Sequence, residues 1–379
     1  MFDFCVFITD TQSIVLAAIL LLSLIFSCLY FGYYHFRLGR WHAKKVADTE
    51  KLPPVSVVLT ARNESVWLKE NLVYLLEQDY PDFEVVVVNY QSHDDTEQVL
   101  KLLKGYYPHL KVVPFPKDVN LFQGKKYPLS IGIQSAKNDV LLLADPECTP
   151  KNMKWLRGMV KGYYRDDVQM VLGFCGLTRK KSLLGLLQRY DNLAYSANYL
   201  GSALLGHPYT ATGRNLSYRR SFFFDRGAFV NHYQVAGGAD DLFVYQNATR
   251  KNTAICIDDD ALLTTEAKPT FSQWHRQRLD RVSTRNWHSV GGRVIEDLPA
   301  LAALLFYGTG AGLLLLGTLP WVTLVAAVVL RWTWQMVSFA QLCKRFDGGW
   351  IYLLTPLLEI YFIIANTILV LTPLRGKRK

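Results

Sequence analysis

Between Ser13 and Tyr34 the chain has no charged residue, and the twelve residues ahead of it hold no lysine or arginine, only Asp3 and Asp10. A secretory signal peptide carries positive charge before its apolar stretch and a small-residue cleavage site after it. Both are missing, so 13–34 is expected to be a membrane anchor, long enough to cross a bilayer. The six cysteines (Cys5, Cys28, Cys148, Cys175, Cys256, Cys343) include no Cys-x-x-Cys pair. No zinc site is suggested, and a domain in a reducing cytoplasm would keep them as thiols. No helix-turn-helix, zinc-knuckle or RNA-binding signature is present. The net charge of +10 is therefore not assigned to nucleic acid. Much of the excess lies beside apolar segments, as a membrane protein would have it.

The 379 residues are many for one domain and few for three. The expected order is a tail (1–12), a membrane helix (13–34), a basic linker (35–52), a catalytic domain (53–285), an interfacial segment (286–297), two or three membrane helices (298–373) and a basic tail (374–379). Arg37, Arg40, Lys44 and Lys45 follow the first apolar run and should hold that end in the cytoplasm. Candidate spans later in the chain are Leu298–Leu319, Pro320–Ala340 and Trp350–Thr372. Arg331 interrupts the second, whose tail would then lie in the interface. Glu359 in the third should face protein rather than lipid. Four spans from an outside N-terminus would leave the basic tail outside, against the positive-inside tendency.

The middle of the chain alternates strand and helix patterns. Val55–Thr60, Phe83–Val88, Lys111–Pro114 and Val140–Leu143 read as buried strands. Glu64–Gln78, Asp95–Leu103 and Tyr127–Ala136 read as helices between them, which implies parallel strands with crossover helices. Beyond residue 151, Met170–Gly173 and Ala254–Ile257 look like strands. Leu183–Leu205 is a long amphipathic stretch, either packed on the sheet or walling an acceptor site. The central feature is DVLLLADPECTP at 139–150, where an apolar strand runs into Asp145-Pro146-Glu147. Acidic residues at such a strand end sit where open α/β sheets place ligands. Two carboxylates one residue apart suit a divalent cation that brings substrate phosphates with it.

The ordered series PPVSVVLTARNES, EVVVVNYQSHDDT, GKKYPLSIGI, LLLADPECTP, TGRNLSYRRS and GGADDLF resembles the inverting glycosyltransferases of family 2, over about residues 53–285. The resemblance implies an α/β fold of GT-A type (Rossmann-like, mostly parallel sheet), a nucleotide-sugar donor and a divalent metal, Mg2+ or Mn2+. Asp145 and Glu147 match its metal-binding motif. Thr60, Arg62 and Glu64 match a nucleoside-contacting turn, although Asn63 and Glu64 could equally cap the helix that follows. Tyr90 stands where the family has a base-reading Asp, while Asp94 keeps the later acidic position or caps a helix. Lys125 matches a phosphate-binding lysine, a point charge suited to that role. Gly213 and Arg214 match the loop beneath donor and acceptor. Asp240 is the preferred general base, with Asp241 in reserve; two carboxylates at a helix start can also be cap and dipole partners. Gln277 and Arg278 should lie near the diphosphate. Asp280 and Arg281 replace the Arg and Trp of the processive members' Gln-x-x-Arg-Trp motif.

These matches point to an enzyme adding a single sugar to a lipid-linked or saccharide acceptor at a bacterial inner membrane, its catalytic domain in the cytoplasm. The expected partners are the nucleotide sugar, the acceptor and membrane lipids. A processive polysaccharide synthase and a catalytically degenerate scaffold are the alternatives.

Overall fold

The computed structural model describes residues 11–42, 52–115, 124–235, 237–285, 287–288 and 290–371. Asp3, Asp10, Cys5, Lys44, Lys45 and the basic tail 374–379 lie outside the described residues. The chain divides into two compact units, 1–41 with 289–379 and 42–288.

The unit 42–288 is built on ten strands: β1 (Val55–Ala61), β2 (Phe83–Asn89), β3 (Leu110–Pro114), β4 (Val140–Leu143), β5 (Cys148–Pro150), β6 (Met170–Leu172), β7 (Cys175–Leu177), β8 (Leu216–Arg219), β9 (Thr253–Ile255) and β10 (Leu263–Thr265). Seven form one sheet in the order β3-β2-β1-β4-β8-β6-β9. Only β8 runs against its neighbours. β5, β10 and β7 make a small second sheet. Near-continuous Val and Leu in β1, β2 and β4 is what a sheet covered on both faces requires. One face, with Val57, Leu59, Val85 and Val87, packs on Leu68, Leu72, Leu75 and Leu76 of the helix Ser65–Leu76. On the other face Gly132 of the helix Lys126–Ser135 sits so close that a Cβ there would fall 2.8 Å from Val58 Cγ1 and 3.0 Å from Val88 Cγ2.

The four strands expected in the first half are all present, β4 with the same bounds. Two features differ from expectation. Residues 216–219, read as part of a loop, form β8 in the middle of the sheet. The strands of the second sheet are three residues each and carry too little pattern to be read. Asn63 does not cap the helix after it. Its Oδ1 accepts from His93 N at 2.8 Å, its φ is +56°, and Asp94 Oδ2 instead accepts from Ser65 N at 3.1 Å.

The other unit is helical. Its described residues include four helices long and apolar enough to cross a membrane: Thr11–Gly39, Glu296–Leu315, Trp321–Arg345 and Gly349–Leu369. The first has a π-helical turn at Phe31–Phe36. Just before that turn, Cys28 O accepts from Trp334 Nε1 at 2.8 Å. The helix Val290–Leu315 runs without a break through most of 286–297, and the part of it apolar enough to cross a membrane begins at Glu296. Arg331 is 1% exposed and grips Glu359 with both terminal nitrogens, at 2.8 and 2.9 Å. Nη1 also donates to Tyr307 Oη at 3.0 Å. A charge in apolar surroundings survives only when paired and hydrogen-bonded, so this pair explains why both ionised residues are tolerated inside spans.

Candidate active site

The helix after β1 and the helix before β4 cover opposite faces of the sheet. The strand order therefore reverses between β1 and β4, and a crevice opens beyond their C-terminal ends. Thr60 comes from the end of β1, and Asp145 and Glu147 from the turn after β4, which closes with Cys148 N donating to Asp145 O at 2.9 Å. Asp145 Oδ1 accepts from Lys125 Nζ at 2.8 Å, and Oδ2 lies 3.7 Å from Arg214 Nε. Glu147 Oε1 accepts from Arg214 Nη2 at 2.8 Å and Oε2 from Lys268 Nζ at 2.7 Å. Burial pushes the Asp145 carboxyl up, but Lys125 and Arg214 outweigh it and hold the group below its ordinary range. Two carboxylates thus face three cations. Lys268 was not anticipated; it stands in a loop with no flanking pattern to mark it.

Beside this cluster lies a cavity of about 320 Å3. Its lining includes Thr60, Lys125, Asp145, Gly213, Arg214, Asp240, Asp241 and Gln277. Five expected residues lie outside the lining. Glu147 is held away by its two cations. Glu64 stays in the electrostatic neighbourhood: burial raises its carboxyl to about 7, Lys125 pulls it down, and the charges of Glu147 and Asp145 add to the rise. Arg62 sits over the Tyr90 ring, 6.0 Å from its centroid. Asp94 receives Ser65 N, Thr96 N and Thr96 Oγ1, bonds that outweigh burial and lower it to about 2. Its oxygens are spent on two helix starts. Arg278 is 5% exposed, lies over Trp274, and is 3.9 Å from Asp191.

Asp240 and Asp241 open the helix Asp241–Asn247 but do different things. Asp240 Oδ2 accepts from Gly213 N at 2.6 Å. A Cβ at Gly213 would meet that oxygen at 3.1 Å, so glycine permits the approach. Asp241 is 8% exposed, and its Oδ1 accepts from Leu242 N at 2.8 Å. Its Oδ2 accepts from Thr284 Oγ1. Burial, then the charge of Asp240, raise the Asp241 carboxyl to about 6 against these bonds. The preceding Gly238 has φ +84°, a conformation open to glycine and strained for other residues. Behind the pair, Lys126 is buried and donates to the carbonyls of His232 and Val235, the latter at 2.9 Å.

The remaining wall comes from the helices Leu183–Leu204 and Phe271–Arg285. Asn192, Tyr195 and Ser196 line the cavity from the first, so this helix both packs on the sheet and walls the site. Gln277, Asp280, Arg281 and Thr284 line it from the second, at the three- and four-residue spacing of one helix face. Among the described residues no group of three or more His, Cys, Asp or Glu side chains could hold a metal by itself. A cation that takes one or two carboxylates and completes its shell with phosphates needs no such cage, and the oxygen donors Asp145 and Glu147 suit it.

Residues 56–225 match the family model Glycosyl transferase family 2. A probable glycosyltransferase of Bacillus subtilis (strain 168), YdaM, is 26% identical over 264 residues, 65% of this chain and 59% of that protein. The poly-beta-1,6-N-acetyl-D-glucosamine synthase of Staphylococcus epidermidis is 24% identical over 166 residues, 40% of this chain and 39% of the synthase. The chain thus matches less than two thirds of either relative's length. Among solved structures, the mannosyltransferase PcManGT from Pyrobaculum calidifontis in complex with GDP-Man and Mn2+ superposes with a TM-score of 0.60 at 18% identity. The match covers 95% of this chain and 98% of that one. The fold is therefore of GT-A type. With the family model over residues 56–225, the relatives and the fold in agreement, the comparisons support a family 2 glycosyltransferase.

Proposed function

We propose that this protein transfers one sugar from a nucleotide-sugar donor to a lipid-linked or saccharide acceptor, with inversion, at the cytoplasmic face of a bacterial cell membrane. The observation that carries the reading is one cavity lined both by Lys125, Asp145 and Arg214 and by the Asp240–Asp241 pair. The first group provides charge for a diphosphate leaving group. The second provides a carboxylate for the acceptor proton. Asp241 is the base, in preference to Asp240: its raised pKa brings it nearer the working pH, while Asp240 holds the Gly213 loop. The acceptor oxygen attacks the anomeric carbon, its proton passes to Asp241, and the nucleoside diphosphate departs from the opposite face.

Asp145 and Glu147 would hold the Mg2+ or Mn2+. When bound, the ion neutralises charge developing on the diphosphate. Arg214 and Lys268 each take one Glu147 oxygen, and each oxygen keeps a second lone pair that would be open to a cation. The similarity to a polysaccharide synthase supports a second reading, processive synthesis. Radiolabelled nucleotide sugars incubated with the full chain in membranes, with and without Mn2+, test both. Single-sugar products that need the metal are expected. A ladder of lengths would favour the synthase, and no turnover of any donor would end the enzymatic reading.

A further inference from the structure

Lys125 and Lys126 are adjacent in sequence and take up different partners. Lys125 lines the cavity and donates to Asp145. Lys126 is turned away from it, 3% exposed, at the start of the helix Lys126–Ser135. That helix is pressed against the sheet at Gly132, where a Cβ would meet Val58 and Val88, so its first residue is a fixed point. From there Lys126 Nζ donates to the carbonyl of His232 and, at 2.9 Å, to that of Val235. The His232 ring places Nδ1 3.1 Å from Gln246 Oε1, and Gln246 belongs to the helix Asp241–Asn247. The loop that Lys126 grips is therefore bonded to the helix that the acid pair opens.

An ammonium taken out of water must be compensated. No carboxylate among the described residues comes within ion-pair distance of Lys126; the two carbonyls are its partners. Burial lowers it to about 8, and the negative charges that hold it up are Asp241 and then Asp240. At neutral pH it is mostly protonated, and the attraction is mutual: its charge favours the ionised form of both acids. Other groups act on the pair as well. His288 lowers the Asp241 carboxyl. Lys125, Asp145, Arg214, Asp280 and Arg281 line the same cavity. His232 is lowered by burial and then by Lys126, so it adds no charge at neutral pH. We propose that Lys126 is the positioning residue of the acid pair: from a helix fixed on the sheet it holds the loop that leads into Asp240 and Asp241, and its buried positive charge balances theirs. This rests on the reading of Asp241 as the base given above.

The test uses the full chain in detergent. Infrared difference spectra across the acid range follow the Asp241 carboxyl, identified as the band missing from Asp241→Asn. Its midpoint, about 6 in the wild type, should rise in Lys126→Met. A rise of about half a unit is expected, less than the one to three units that a contacting charge gives. Lys126→Arg, which keeps the charge and the donors, should return it towards the wild-type value. Lys126→Gln keeps a donor without the charge and should show the same rise, so it stands in if Lys126→Met does not fold. Sugar transfer reads the positioning: kcat should fall about 10- to 100-fold in Lys126→Met, as a displaced base gives. UDP and GDP binding with Mn2+ should be unchanged, since Lys125, Asp145 and Arg214 are untouched. The proposal is overturned if the midpoint stays put in both neutral variants, whatever happens to rate and melting temperature, since Lys126 would then only pack the loop. It is also overturned if Lys126→Arg titrates as the neutral variants do. Wild-type protein that transfers sugar from no donor would sink the glycosyl-transfer reading, and Asp241→Asn at the wild-type rate would sink the choice of base. In either case the infrared midpoints still decide whether Lys126 governs the acid pair.

Discussion

Transfer should lose its base when Asp241 is protonated, and the structure gives the sign of every shift around it. With the carboxyl at about 6, roughly a tenth of it is ionised one unit lower, so the rate at pH 5 should be about tenfold below the plateau. Asp241→Asn should cost about 100- to 10,000-fold. Two neighbours then move the acid limb in opposite directions. Thr284→Val removes a hydrogen bond to the carboxylate and should move the limb to higher pH. A bond to a charged group is worth about 1.5–3 kcal/mol, which corresponds to about one pH unit or more. Asp240→Asn removes a like charge, keeps an acceptor for Gly213 N, and should move the limb to lower pH. The assay is the rate of sugar transfer at saturating donor between pH 4.5 and 8, as about seven points per variant. The reasoning fails if Asp241→Asn transfers at near the wild-type rate, or if both neighbouring substitutions shift the limb the same way. If Asp240→Asn abolishes transfer at every pH while Asp241→Asn does not, the base is Asp240, as the motif alone suggests.

Glu147→Gln should leave the fold intact and remove the metal-dependent part of nucleotide binding; equal affinity with and without Mn2+ in both proteins would count against Glu147 as a ligand. Asp94→Ala should lower stability by about 0.5–2 kcal/mol through two lost helix-start bonds, with nucleotide affinity preserved. Lost affinity at an unchanged melting temperature would return Asp94 to the donor site. In the helical unit Glu359→Gln leaves Arg331 buried without its counter-charge and should cost about 3–5 kcal/mol. Replacing Arg331 and Glu359 together with methionine should cost less. A single variant that melts like the wild type in detergent would show that the pair contributes nothing to the packing.

The parts of the fold that were legible share one property: their pattern repeats for long enough to be read. β1 and β2 are each seven residues of nearly unbroken apolar sequence, and the first apolar helix runs well beyond bilayer length. The second sheet gives three residues per strand, less than two periods of any alternation. β8 was hidden differently. Gly213, Arg214 and Asn215 look like a loop and do form a short turn, but Leu216–Arg219 then enters the sheet between β4 and β6, where its partners lie far off in sequence. Only tertiary pairing makes it a strand.

The site divides along the same line. Asp145, Lys125, Gly213 and Arg214 could be named because each follows a strand or opens a turn, where short motifs keep their spacing. Tyr195 could not, since its place in the site arises only when two helices face each other across the cavity. The choice between Asp240 and Asp241 shows the limit most clearly. The two are adjacent, with the same charge, and nothing in the local sequence ranks them. What separates them is a glycine amide 27 positions away on one and a threonine 43 positions away on the other. Those contacts leave one carboxylate as a strut for the Gly213 loop. The other is desolvated beside it, and the strut's own charge raises the pKa of its neighbour. Placing two acids side by side is thus a way to make one of them a better base, and the cost is that the first must be held in place by a backbone amide.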